Sequence, residues 1–130
     1  MDLREYFENA KGLGVLATAD ASGEVNAAVY ARPHFTDANN ENTVAFIMAD
    51  RLSHANIRTN PHAAYLFVEE GQGYKGKRLH LTKLREESSE ELVTAICRRC
   101  NYSMYGPESL RYVVFFRVDQ VLPLIGPGPG

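Results

Sequence analysis

Six short segments of this chain are rich in β-branched and aromatic residues and are separated by turn-forming residues, a pattern typical of strands. The predicted strands are residues 14–19, 24–31, 43–49, 63–70, 78–87 and 112–121. The first two flank a turn at residues 20–23 and are expected to form a hairpin. Leu84 breaks the alternation of the fifth strand, which indicates a β-bulge.

Three short helices are expected, at the start of the chain, after the third strand and after the fifth strand. The first begins at a capping box formed by Asp2 and Glu5, the second spans residues 53–60, and the third spans about residues 89–100. A chain of this kind closes its sheet because closure removes free strand edges. The sequence therefore predicts a mainly β protein: a small six-stranded antiparallel barrel with accessory helices.

Length and composition narrow the class of protein. A chain of 130 residues with a net charge of −2 is expected to form one domain, residues 1–130, with scattered basic residues that do not predict nucleic-acid binding. No apolar stretch approaches the roughly 20 residues of a membrane-spanning helix. The charged, amphipathic start differs from a signal peptide, so a cytoplasmic location is expected.

The segment 44–61 contains the clearest functional pattern. An apolar strand is followed by Arg51, then by Ser53 at the start of the short helix that Pro61 ends. The first N–H groups of a helix lack intrahelical partners and favour anions, and arginine adds a bidentate donor suited to phosphate. The segment therefore predicts a binding site for a phosphate-bearing cofactor, although a surface arginine beside an ordinary N-cap serine has the same pattern.

These segments together resemble the pyridoxamine 5′-phosphate oxidase-like, FMN-binding split-barrel family over roughly residues 3–125. The motifs are GVLATAD-SG-VNAAVYARP, AFIMADRLSHANIRTNPHAAYLF, GKRLHL and VVFFRVDQVLPL. The second motif is the most specific, since it contains the N-[LI]-x-x-N-P helix end at residues 56–61. The lysine common in the family's phosphate turn is replaced by Leu52 or Ser53, and Arg51 could take its place.

The resemblance implies particular site residues. Arg51 and Ser53 would bind the FMN phosphate, and Asn56 would support that turn or reach the ribityl chain. Other contacts, largely from backbone groups, would come from Ala28, Val29 and Tyr30 on the second strand and from Ile47, Met48 and Ala49 on the third. Lys77 and Arg78 would place polar side chains near the flavin or its phosphate. The family also implies a homodimer with two FMN sites at its interface, where residues 123–125 would help close the partner's site.

The expected function is that of a flavoprotein, an FMN-dependent oxidoreductase or electron carrier whose electron donor and substrate the sequence does not identify. Two alternatives remain open. One is a deazaflavin- or haem-binding split barrel, and the other is a non-catalytic dimerisation or sensor module. Fold alone does not fix chemistry, and no acid or base for a particular reaction is evident in the sequence.

Several other residues have simpler interpretations. Cys97 and Cys100 fall on the apolar face of the third helix, where core packing is favoured over redox chemistry or zinc binding. The four histidines are dispersed without metal-site spacing. His54 is a candidate for function at the phosphate turn or a solvated surface residue, and His80 is expected to face outward. Tyr74 in the glycine-rich loop that also holds Lys77 is a candidate lid.

Overall fold

The structure, a computed structural model, describes residues 2–36, 42–49, 51–88, 91 and 111–127. The elements are α1 (Leu3–Asn9), β1 (Gly12–Ala19), β2 (Val25–Val29), β3 (Thr43–Ala49), α2 (Leu52–Thr59), β4 (His62–Glu69), β5 (Gly76–Glu87) and β6 (Arg111–Pro123). All six predicted strands are confirmed, with ends that differ by no more than two residues. The predicted third helix, with Cys97 and Cys100, lies outside the described residues apart from helical Glu91.

The six strands form one antiparallel sheet in the order β2-β1-β4-β5-β6-β3, curled into a split barrel. β1 and β2 make the predicted hairpin, and Gly23 takes the positive φ of 90° that its turn requires. The register between β5 and β6 shifts at His80/Leu81 and again across Leu84, which confirms the bulge expected there. The two free edges of the sheet are therefore β2 and β3.

The barrel interior is filled by the inward-facing side chains of alternate strand positions. Phe7 of α1 closes one end, with its ring 5.4 Å from that of Phe67 and 6.2 Å from that of Tyr65. Each such large apolar side chain contributes roughly 1.5–3 kcal/mol when fully buried. The buried members of this core are Leu3, Phe7, Leu16, Val44, Phe46, Met48, Ile57, Tyr65, Phe67, Leu79, Leu81, Val114, Phe116 and Val118.

Side-chain hydrogen bonds hold α1 in place at this end. Asp2 accepts from the backbone N–H of Glu5 at 3.1 Å, as the capping box predicts. Arg32, beyond β2, donates to the carbonyl oxygens of Phe7 and Ala10 at 2.7 Å each, and so satisfies acceptors that the helix end leaves open. The orientation of α1 is therefore tied to the segment that follows β2.

A second, smaller cluster lies on the outer face of β3 and β6. Ala45, Val113 and Phe115 are buried there, and Ile47 packs against them. The Arg85 guanidinium lies 3.8 Å from the centroid of the Phe115 ring, a cation–π contact that covers part of this face. The β3–β6 pair is therefore apolar on both of its faces, as the nearly continuous apolar sequence of β6 predicts.

Candidate functional site

The two free edges of the sheet approach each other across the split in the barrel. His34, shortly after β2, exchanges two backbone hydrogen bonds of 2.8 Å with Ala45 of β3. The rings of Tyr30 and Phe46 lie 6.1 Å apart beside this contact. From there β2 and β3 continue toward α2, which contacts both strands as well as β1. The split is therefore bounded by two strand edges and by one helix.

The β2 edge presents backbone groups to the split. The N–H of Tyr30 donates to the carbonyl oxygen of Gly14 on β1 at 2.9 Å. Because bonded and non-bonded pairs alternate in an antiparallel ladder, Ala28 also bonds toward β1, whereas Val29 points its N–H and C=O away from β1. Ala27 has the same orientation as Val29. Of the three residues predicted on this strand, Val29 therefore offers its backbone, and Ala28 and Tyr30 offer side chains on the inner face.

The β3 edge is organised in the same way. Ala45 bonds to His34 on the side away from β6, so Ile47 and Ala49 point their backbone groups to that same side. The carbonyl oxygen of Ala49 accepts from the N–H of Arg51 at 2.8 Å, which leaves the N–H of Ala49 directed outward. Met48 lies in the core, fully buried. Ile47 and Ala49 are therefore the predicted residues of β3 whose backbone can reach a ligand.

The start of α2 lies at the end of this split. The helix begins at Leu52, one residue before the predicted start, so Arg51 and not Ser53 is its N-cap. Arg51 is extended, with φ −132° and ψ −169°, is exposed, and makes no side-chain cap hydrogen bond. The first-turn N–H groups of α2 have no intrahelical partners and carry the partial positive charge of a helix start, next in sequence to a permanently charged arginine.

Ser53 and Asn56 attach α2 to the hairpin. Ser53 is buried, and its Oγ accepts from Asn26 Nδ2 of β2 at 3.3 Å. Asn56 is also buried, and its Nδ2 donates to Thr18 Oγ1 of β1 at 3.1 Å. The hydrogen bond of Asn56 therefore attaches the middle of α2 to β1, and its role toward a ligand stays a prediction.

His54 is fully buried, so its interpretation as a solvated surface residue is wrong. Its ring lies parallel to that of Tyr112 on β6, with a centroid distance of 3.9 Å and an interplanar angle of 15°. Its Nε2 lies 2.9 Å from Glu86 Oε2, and Glu86 Oε1 accepts from Lys83 Nζ at 2.5 Å. Sequence reasoning missed this cluster because its members come from three elements far apart in the chain.

Glu86 is ionised more readily than an ordinary glutamate. Burial by itself would raise its pKa, but hydrogen bonds from Lys83 and His54 and the charge on Lys83 favour the carboxylate and outweigh it. The net result is a pKa of Glu86 below the usual value. The cluster therefore contains a stable carboxylate behind the first turn of α2.

Lys77 and Arg78 lie apart from the start of α2. Lys77 belongs to β5 and not to the glycine-rich loop, so that prediction is wrong. Its stem is buried, its Nζ lies 4.7 Å from the centroid of the Tyr6 ring, and burial lowers its pKa. Lys77 is opposite Phe67 of β4, whereas Thr18, whose side chain bonds to α2, is opposite Ala63 of the same strand. Phe67 and Ala63 are four residues, or about 13 Å, apart along β4.

Arg78 donates to the carbonyl oxygens of Pro123 and Gly126 at 2.8 and 2.6 Å, and so fixes the segment after β6.

The outer face of the hairpin and its neighbours is apolar and exposed. The register places Val29, Val15, Leu66 and Arg78 in one row across β2, β1, β4 and β5. Val29 is 69% exposed and Val25 on the same face is 78% exposed. A depression of about 690 Å³ adjoins this row, lined by small residues such as Ala17 and Ala64 and by polar ones that include His62, His80 and Gln120. His80 faces outward, as predicted.

Neither a metal site nor a membrane-spanning helix is found in the part of the chain that the structure describes. Within residues 2–36, 42–49, 51–88, 91 and 111–127, no group of three His, Cys, Asp or Glu side chains is arranged to bind a metal. Within the same ranges, no helix has the length and hydropathy needed to cross a membrane.

Comparison with known proteins supports the fold. The chain resembles an FMN-binding protein from Syntrophomonas wolfei, with a TM-score of 0.76 and 15% identity over 98% of this chain and 86% of that one. A candidate pyridoxamine 5′-phosphate oxidase from Listeria innocua gives a TM-score of 0.64 and 17% identity over 92% and 93% of the two chains. An F420 reductase gives 0.62 and 17% over 91% and 94%. No family model and no curated protein matches the sequence.

These likenesses define the class of protein by its fold. The chain is a split barrel of the type found in FMN-binding and pyridoxamine 5′-phosphate oxidase-like proteins, which confirms the fold that the sequence motifs predict. At identities of 15–17% the likeness concerns the fold alone, so any ligand must be argued from this chain's own residues.

Proposed function

We propose that this protein binds a flavin, specifically FMN, in the split between β2 and β3 and acts as an oxidoreductase or electron carrier. The main support is the start of α2, where exposed Arg51 makes no side-chain cap hydrogen bond, together with the outward-pointing backbone groups of the β2 and β3 edges that lead to it. Such an arrangement suits a ligand with a phosphate at one end and a planar hydrogen-bonding ring at the other. The FMN-binding protein of similar fold supports the same choice.

Each part of the site would have a separate task. Arg51 and the amides of Leu52 and Ser53 would hold the phosphate. The backbone groups of Val29, Ile47 and Ala49 would hydrogen-bond the ribityl chain and the ring, with Ala28 and Tyr30 shaping the inner wall and Met48 packed behind it in the core. FMN would supply the hydride or electron transfer, and the protein would supply orientation, electrostatics and control of access.

A homodimer is part of the proposal. Exposed Val29, half-buried Val15 and exposed Leu66 form a row that runs from the β2 edge of the split across β1 and β4, so a second copy seated there would cover apolar surface and border the flavin. Arg78 holds residues 123–126 at the other side of this face, where they would help close the partner's site. The partner would then limit water access to the ring.

A deazaflavin is the second candidate, because the F420 reductase has a similar fold. Its long acidic tail would require several cations near the site. Lys77 is buried beneath α1 and Arg78 is engaged with backbone carbonyls, so neither forms a continuous basic groove with Arg51. FMN, with one phosphate, makes smaller demands on the residues present.

An absorption spectrum tests the proposal directly. The purified protein would be mixed with excess FMN, freed of unbound ligand by gel filtration, and compared with a sample treated with riboflavin. The proposal predicts that the visible bands of oxidised flavin remain with the protein after FMN treatment and are weaker after riboflavin treatment. A protein that retains neither flavin would contradict it.

A further inference from the structure

His54 connects the candidate phosphate turn to the opposite side of the barrel. It is the third residue of α2 and follows Arg51 by three positions, so its backbone belongs to the same first turn. Its side chain points inward, is fully buried, stacks on Tyr112 of β6, and bonds to Glu86 of β5. One side chain therefore joins the start of α2 to β5 and β6.

Glu86 is a firm anchor for this contact. Its second oxygen accepts from Lys83, three residues earlier on the bulged part of β5, and Lys83 and Glu86 are both only partly accessible, at 17% and 23%. Because Lys83 Nζ already holds one carboxylate oxygen, the Glu86 side chain keeps its orientation when the other oxygen bonds to His54. β5 therefore fixes the position of the Glu86 carboxylate, and the hydrogen bond with His54 holds α2 at a fixed place relative to it.

We propose that His54 is a positioning residue for the phosphate end of the site: its bond to Glu86 and its stack on Tyr112 fix the direction of the first-turn amides of α2. This inference depends on the proposed phosphate site at the start of α2. Hydrogen bonds of Ser53 with Asn26 and of Asn56 with Thr18 attach the helix to the hairpin, and α2 also contacts β3. Without His54 the first turn loses its tie to β5 and β6, and its amides can rotate.

Loss of the His54 contacts should weaken binding of the phosphate more than binding of the rest of the ligand. Riboflavin has the same ring and ribityl chain as FMN but has no phosphate, so its contacts fall on the edges of β2 and β3. A small displacement of donors weakens binding of the group they face more than binding of groups elsewhere. Loss of the His54–Glu86 bond should therefore weaken FMN binding and have little effect on riboflavin.

Three variants separate positioning from general stability. His54→Phe keeps a ring on Tyr112 and removes the bond, Glu86→Leu removes the same bond from the strand side, and Glu86→Gln keeps an acceptor for His54. Titration calorimetry with FMN and with riboflavin would be performed on each folded variant, with circular dichroism as the test of folding. If His54→Phe does not fold, Glu86→Leu provides the same test.

The proposal predicts at least about fivefold weaker FMN binding in His54→Phe and Glu86→Leu, riboflavin affinity within about twofold of wild type, and near-wild-type FMN affinity in Glu86→Gln. Unchanged FMN affinity in the first two variants would overturn it, as would an equal loss for both ligands, which indicates a general structural role. Wild-type protein that binds neither ligand would instead contradict the proposed function, and the positioning role with it.

Discussion

The Nδ2 atom of Asn56 donates a hydrogen bond of 3.1 Å to Thr18 Oγ1, and both side chains are almost fully buried. This bond joins the middle of α2 to β1. A hydrophobic residue on either side would leave its partner without a hydrogen bond inside the protein, which costs about 1–3 kcal/mol. The asparagine of the N-[LI]-x-x-N-P motif therefore has a structural task here, whatever ligand the site receives.

The first prediction concerns this pair. Asn56→Leu should lower the free energy of unfolding by about 1–3 kcal/mol, measured by urea denaturation, because Thr18 Oγ1 loses its donor. The double variant Asn56→Leu/Thr18→Val should be less destabilised than the sum of the single variants. Arg58→Ala, an exposed change on the same helix, is the control and should change stability by less than about 0.5 kcal/mol. Additive effects of the pair would contradict a direct interaction.

The second prediction concerns the close packing of Gly14 against Tyr65. A Cβ atom on Gly14 would lie 1.9 Å from Tyr65 Oη and 2.6 Å from the carbonyl oxygen of Tyr30. Tyr65 Oη donates to the carbonyl oxygens of Tyr30 and Ala31 at 3.2 and 3.1 Å, so it cannot move without loss of those contacts.

Gly14→Ala should therefore destabilise the fold by at least roughly 1–3 kcal/mol, as an over-packed core does. Adding Tyr65→Phe should recover part of the loss, since the nearest atom is removed. Thermal denaturation of the three variants measures this. A fully additive loss in Gly14→Ala/Tyr65→Phe would show that the clash with the hydroxyl is not the cause.

The third prediction concerns acid. The pKa of Glu86 is below its ordinary value of 4.5, because the hydrogen bonds from Lys83 and His54 outweigh the opposing effect of burial. A carboxylate whose pKa is lower in the folded chain adds stability above its unfolded pKa and loses that contribution as the pH falls through its folded pKa. The stabilising effect of Glu86 should therefore be complete at neutral pH and should decline below about pH 4.5.

Comparison with Glu86→Gln measures this contribution. Urea denaturation of both proteins between neutral pH and about pH 3 should show wild type as the more stable at neutral pH and a difference that shrinks as the pH falls. Two stability curves that stay parallel over this range would show that Glu86 is not held in its charged form by the fold.

The fourth prediction concerns the outer face. Leu66→Lys places a cation beside Arg78 in the middle of the exposed apolar row and should convert a homodimer to monomers without unfolding. Light scattering after gel filtration measures the mass, and circular dichroism tests the fold. Leu84→Lys is the matched control, because Leu84 is also an exposed leucine of the sheet, 50% accessible, but lies in the β5 bulge. Wild-type protein that is monomeric at high concentration would rule out this interface.

The strands were predictable because β1, β2, β4 and β5 bury mainly one face, which imposes a period of two, and because β3 and β6, apolar on both faces, have nearly continuous apolar sequences. Lys77 was misplaced although the same period identifies its position: Lys77, Leu79 and Leu81 alternate on the inner face. The lysine was assigned to the loop because it directly follows the glycine-rich run that ends at Gly76, whereas its long apolar stem fits beneath α1.

The site was predictable only in part, since local sequence fixes the elements and not the contacts between them. The strand, the arginine and the short helix follow from residues 44–61. The burial of His54 and its contact with Glu86 depend on β5 and β6 meeting α2, and 32 residues separate the two partners. Val29, Ile47 and Ala49 direct their backbone groups to the split because they occupy the positions that do not bond to the neighbouring strand. The identity of a side chain does not reveal which positions of a strand pair form hydrogen bonds.

Titration of FMN against wild type and Arg51→Ala is the most direct test of a phosphate site at the start of α2. Wild type should bind FMN more tightly than riboflavin, and Arg51→Ala should lower FMN affinity by roughly tenfold or more while riboflavin affinity stays nearly constant, because one charged donor to the phosphate is lost. Arg58→Ala, at the other end of the same helix, should bind both ligands as wild type does. Equal FMN affinity in Arg51→Ala and wild type would contradict a phosphate site at the start of α2.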